Sequence, residues 1–110
     1  MSQTTRRYMR LLVFFDLPSV TKPERRAYAL FRRHLLNDGY DMLQFSVYGR
    51  VVSGRDAEAK HLQRLQLNLP PAGSVRVLTV TEKQFTSMRL MVGAPSFQEK
   101  TVHAAQIVLF

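Results

Sequence analysis

The sequence predicts one α/β (α+β) sandwich, a small sheet with two helices laid on it. Three observations predict it. Strand-like and helix-like segments alternate along the chain, and the first strand-like segment is apolar on both of its faces. The 110 residues, 45% of them apolar, are enough for a single modest core without staples.

The stretch from Tyr8 to Asp16 is rich in strand formers and apolar without a break from Leu11 to Phe15. That is the pattern of a central strand buried on both sides. Alternation puts Tyr8, Arg10, Leu12, Phe14 and Asp16 on one face and Met9, Leu11, Val13 and Phe15 on the other. Leu17-Pro18-Ser19 ends it. A helix then starts at Thr21, whose hydroxyl is placed to cap it, with Glu24 three residues on to complete a capping box and Pro23 tolerated in the first turn. This helix is expected to run to about Asp38, with Ala27, Leu30, Phe31, His34 and Leu35 inward and Gly39 as its left-handed stop.

Met42 to Val52 reads as one long or broken strand, or a tight pair bent near Gly49. A second helix is expected from about Asp56 to Leu69, with Ala59, Leu62, Leu65 and Leu69 inward and Lys60, His61 and Arg64 toward water. Pro70-Pro71-Ala72-Gly73 stops it. Val75 to Thr81 alternates as a strand, Glu82 to Thr86 reads as a turn, Arg89 to Val92 is a short apolar piece, and Gln106 to Phe110 is a last strand candidate.

This order is that of a ferredoxin-like βαββαβ sandwich with one or two extra C-terminal strands. It forms a single domain over 1–110, in which 1–6 is a flexible basic lead and 94–110 an extension ending in a strand. Two helices cover only one sheet face, so a second copy is the simplest cover for the other. A symmetric homodimer is expected, with Ile107-Val108-Leu109-Phe110 placed to pair with an edge of the partner.

Charge narrows the function. Sixteen Lys and Arg stand against eight Asp and Glu, a net +8 that suits polyanionic partners, nucleic acid first. Residues 1–33 hold eight basic side chains and two acidic ones. Among them Arg25 with Arg32 and Arg26 with Arg33 repeat seven residues apart, about 10.5 Å along a helix at roughly 1.5 Å per residue. No acidic residue lies between Arg25 and Arg33 to pair with them, so the stripe suits a phosphate backbone better than an ordinary solvated helix face. Arg6, Arg7 and Arg10 extend the candidate set.

Other chemistry is thinly represented. Cysteine is absent, which removes disulfides, thiolate zinc sites and cysteine nucleophiles and fits a reducing cytoplasm. The apolar run Leu11 to Phe15 is too short for a membrane span. His34, His61 and His103 lack metal-ligand spacing, no serine sits in a triad-like setting, and the glycines form no phosphate loop. Tyr8, Phe14, Phe15, Phe31, Phe45 and Tyr48 suit core packing more than base stacking, since the aromatic-glycine pattern of RNA-recognition sheets is missing. Asp16 remains as the one carboxylate directly following a buried strand. Either it is a metal ligand, completed by a second Asp16 across a two-fold axis, or it accepts backbone hydrogen bonds in the Asp16-Leu17-Pro18 turn.

Four segments together resemble a known family. They are Arg7-Tyr8-Met9-Arg10 through Phe14-Phe15-Asp16-Leu17-Pro18, then Glu24-Arg25-Arg26-Ala27-Tyr28 with Phe31-Arg32-Arg33, then Met42-Leu43-Gln44-Phe45-Ser46-Val47-Tyr48, and Thr79-Val80-Thr81-Glu82-Lys83-Gln84-Phe85. In that order, from about Arg7 to Gly93, the chain resembles the CRISPR-associated protein two family, the smaller of the two universal CRISPR adaptation proteins, also called its endoribonuclease family. The likeness is greatest to the branch that accompanies the single-effector RNA-guided nuclease. The resemblance implies a ferredoxin-like homodimer in the prokaryotic cytoplasm that bridges integrase dimers and holds double-stranded DNA for insertion into the CRISPR array. Its further implied partners are the RNA-guided nuclease and other adaptation factors.

The resemblance also implies a metal-dependent nuclease on RNA or double-stranded DNA, with Asp16 of one or both protomers as catalytic ligand to Mg²⁺, or Mn²⁺ in its place. Many relatives have tyrosine where this chain has Phe15 and arginine where it has Met42, departures that touch the nuclease and not the scaffold. A scaffold that clamps duplex DNA is therefore the leading expectation and a phosphodiesterase the second. An RNA-binding or toxin-type domain is the third, which would prefer single strands and have no integrase partner.

Overall fold

The structure, a computed structural model, describes residues 8–96, 98 and 99. Its elements run β1 (Tyr8–Asp16), α1 (Lys22–Asn37), β2 (Asp41–Gln44), β3 (Val47–Ser53), α2 (Gly54–Leu67), β4 (Ser74–Thr81) and α3 (Glu82–Thr86). The four strands form one antiparallel sheet in the order β2-β3-β1-β4. This is the ferredoxin-like βαββαβ arrangement. The central strand is β1, where Leu12 lies opposite Gly49 on one side and Leu78 on the other.

Local chemistry explains most boundaries. The Thr21 hydroxyl accepts from the Glu24 N–H, and the Glu24 carboxylate accepts from the Thr21 N–H at 2.9 Å, so the expected capping box starts α1. At its other end Gly39 takes φ 89 and the Tyr40 N–H reaches back to the Leu35 carbonyl. The same device, unrecognised in the sequence, makes Glu82 to Thr86 a helix rather than a turn: Thr81 and Gln84 satisfy each other's backbone N–H groups.

The hairpin bends at Phe45-Ser46, not near Gly49. Gly49 lies within β3 beneath Leu12 and Leu43, where a Cβ would come within 3.0 Å of the Leu12 side chain. It serves close packing rather than the turn.

Leu11, Val13 and Phe15 of β1 meet Tyr48 and Val52 of β3, Phe31 and Leu35 of α1 and Leu65 of α2 in the main core. The inner stripes of both helices are narrower than the sequence suggested. Leu30 is exposed on α1, while on α2 Ala59 and Leu62 are exposed and His61 is buried beside Leu65; Leu69, expected inward, lies exposed beyond the helix end at Leu67. The reason is register: Ala57, His61 and Leu65 at i, i+4 and i+8 form the stripe that meets the sheet, and polar partners await His61 there.

Both faces of β1 are buried, as its unbroken apolar run predicted, with Leu12 6% exposed on the side away from α1 and α2. Part of the cover on that side comes from the chain itself. Phe85 of α3 lies under the Arg10 guanidinium, and Met88, Leu90 and Val92 line a cavity over Phe14, Leu43 and Val47. Arg89 to Val92 form no strand, and among the described residues there is no fifth strand. The terminal strand candidate, Gln106 to Phe110, lies outside the described residues.

Candidate functional site

Asp16 ends β1 opposite Ser74 and is exposed. The loop before β4 presses against it: Gly73 adopts φ 96, and a Cβ there would come within 2.6 Å of the Asp16 carbonyl oxygen. Glycine is thus required on two counts, conformation and approach. Among the described residues no donor is bonded to the Asp16 carboxylate, and the residue is exposed at the strand end. No group of three or more His, Cys, Asp or Glu side chains converges among the described residues. A hard divalent cation needs several oxygen ligands, so the described residues of one chain do not by themselves make a resident metal site.

The arginines separate into distinct settings. Arg25, Arg26, Arg32 and Arg33 are all exposed on α1. Arg25 donates to the Val20 carbonyl, and Arg32 Nε donates to the Tyr48 hydroxyl at 2.8 Å. Arg26 and Arg33 have no hydrogen-bond or ion-pair partner among the described residues. Arg10 is different. It is 8% exposed, pairs with Glu82, stacks over Phe85 and donates to Gln98 Oε1 at 2.7 Å. A guanidinium so engaged is not offered to a phosphate. Arg6 and Arg7 lie outside the described residues.

A second polar cluster joins the end of α1 to α2. Arg64 Nε donates to both Asp38 carboxylate oxygens, at 3.0 and 3.2 Å, and Arg50 donates to the Asp38 carbonyl. Arg64 Nη2 lies 2.7 Å from His61 Nδ1. Burial moves His61 below its ordinary range, aided by Arg50 and Arg64 and outweighing the pull of Asp38 at 3.3 Å. Burial raises Asp38, but the hydrogen bonds from Arg64 and His61 prevail and hold it below the usual carboxylate range. Tyr40 beside them is pushed up to about 12, by burial first and then by Asp38. The cluster ties two helices to the sheet.

With that geometry in place, the model of the CRISPR associated protein Cas2 family matches residues 9–88, from β1 through α3. The chain belongs to the Cas2 family. It is 72% identical over 102 residues to the CRISPR-associated endoribonuclease Cas2 of Acidovorax ebreus, covering 93% of this chain and 100% of that one. It is 40% identical to the protein of the same name from Campylobacter jejuni, over 94% of this chain and 73% of that one. A third such relative, from Parvibaculum lavamentivorans, is 39% identical over 93% of this chain and its own full length.

The matched span holds Asp16 and the four α1 arginines. Its Cas2-type fold brings Asp16 to one end of the sheet and spreads the arginines along α1. Glu82, Gln98 and the Asp38-His61-Arg64 cluster escaped the sequence, because each bridges residues more than twenty positions apart. Among the described residues no helix is long and apolar enough to cross a membrane.

Proposed function

We propose that this Cas2-family protein is a CRISPR adaptation subunit, a homodimer that holds duplex DNA by its backbone and bridges integrase subunits during spacer insertion. The observation behind it is the α1 surface, where four arginines are exposed and two of them, Arg26 and Arg33, have no partner among the described residues. Backbone binding by such a surface is insensitive to sequence and steeply sensitive to salt. Duplex binding should therefore weaken linearly in log salt. Arg26→Glu with Arg33→Glu should reduce that slope by roughly 2, about 0.9 per lost phosphate contact. A salt-independent affinity, or one untouched by the double variant, would remove the proposal.

A second reading has its own support. The relatives are named endoribonucleases, and Asp16 is an exposed carboxylate at the end of a buried strand. One carboxylate cannot hold Mg²⁺ or Mn²⁺ firmly, so this reading requires Asp16 from two protomers. Cleavage of RNA or duplex DNA that is lost in Asp16→Ala, with unchanged circular dichroism, would establish it. Cleavage that survives the substitution would assign the activity elsewhere.

A further inference from the structure

Among the aromatic residues expected in the core, Phe45 stands apart. It is 77% exposed, in the turn between β2 and β3. Its ring is nonetheless held in place. Tyr28 of α1 stacks against it, with centroids 6.4 Å apart and planes 24° from parallel, and Tyr28 meets Phe15 edge-on at 5.9 Å. The next residue, Ser46, takes φ 66, a left-handed conformation uncommon for a residue with a Cβ. Its carbonyl accepts from the Phe15 N–H at 3.1 Å, which fastens the turn to the residue before Asp16.

We propose that Phe45 is a stacking platform for an unpaired nucleobase of a bound strand. The proposal rests on the nucleic-acid reading above and adds a contact that backbone clamping does not need. Two features favour a base over a protein partner. Tyr28, against which Phe45 stacks, is three residues after Arg25 and four before Arg32, and positions so spaced are neighbours on a helix surface. The exposed ring therefore adjoins the exposed basic stripe, so one nucleotide can place its phosphate on arginine and its base on Phe45. The residues that flank the ring in sequence are polar, exposed Gln44 before it and half-buried Ser46 after it. That suits a base edge better than the apolar surround of a protein hot spot.

The chain has no tryptophan, so Phe45→Trp installs a single tryptophan at the platform, one that can be excited apart from the tyrosines. The full chain would be titrated with a duplex holding a short unpaired stretch and with a fully paired duplex of the same length, with and without integrase. The expected result is quenching of Trp emission by the unpaired stretch. Phe45→Ala should weaken binding to that DNA roughly tenfold more than to the paired duplex, while Phe45→Trp binds like wild type. Equal loss on both duplexes, or no loss with duplex binding intact, would overturn the platform and leave the arginine surface standing. Emission that responds only to integrase would make the ring a protein contact instead. Absence of duplex binding by the wild type would remove both proposals together.

Discussion

Arg10 and Arg26 are the same residue type in one basic stretch of sequence, yet their surroundings give them opposite work. Arg10 is buried between Glu82, Gln98 and Phe85, whereas Arg26 faces water. Arg10→Met should cost about 1–2 kcal/mol in denaturant unfolding, the usual worth of hydrogen bonds to a charged group discounted for the partly exposed Glu82. It should leave the salt dependence of DNA binding unchanged.

His61 gives a prediction in pH. Its folded pKa lies below the 6.5 of the free group, so around and below that value the unfolded chain binds more protons and stability rises with pH. The contribution is full above about 6.5 and is lost as pH falls through the folded value; Asp38 acts in the same sense at lower pH, below 3.8. Thermal unfolding followed from about pH 7 to about pH 5 should show the melting temperature falling, and His61→Gln should flatten that fall. An unchanged slope in the variant would mean that other groups set it.

At the scale of elements, short-range chemistry decides the helix starts. Thr21→Ala removes the hydroxyl that accepts from Glu24 and should cost about 1 kcal/mol of stability; thermal unfolding would register it, and Thr21→Ser should restore most of the loss. These caps were legible because every partner lies within four residues. The Thr81-Glu82-Lys83-Gln84 box was just as legible, but the helix it starts has only five residues and no apolar period marks them. The inner face of α2 was not legible. Ala59 and Leu62 fit an apolar stripe on paper, but the side chains that receive His61 come from Asp38, twenty-three residues away. The hairpin bend was misplaced for a related reason, since Gly49 looks like a turn residue until Leu12 and Leu43 are seen closing over it.

At the scale of the molecule, the side of the sheet away from α1 and α2 matters most. Phe85 and the residues that follow cover part of it, and Gln98 crosses it by donating to the Gly49 carbonyl at 3.0 Å and Asp41 at 3.2 Å. Leu78, beside Leu12 on that side, remains 53% exposed. If the proposed homodimer packs there, Leu78→Lys should shift sedimentation toward the monomer with an unchanged far-ultraviolet circular dichroism spectrum, because in the single chain the side chain is already half in water. A species of unchanged mass would place the dimer contact on another surface.

By itself the sequence determined the alternation of strands with two main helices, the ferredoxin-like class, the central strand buried on two faces, and Asp16 and the α1 arginines as the candidate groups. All of these follow from periodicity, caps and charge within short windows. Only the tertiary structure decided which arginine is buried, which histidine faces inward, and that Phe45 stands in water on a stacked base of aromatic rings. Those outcomes depend on pairings between distant segments, and no local pattern records which partner the folded chain will bring.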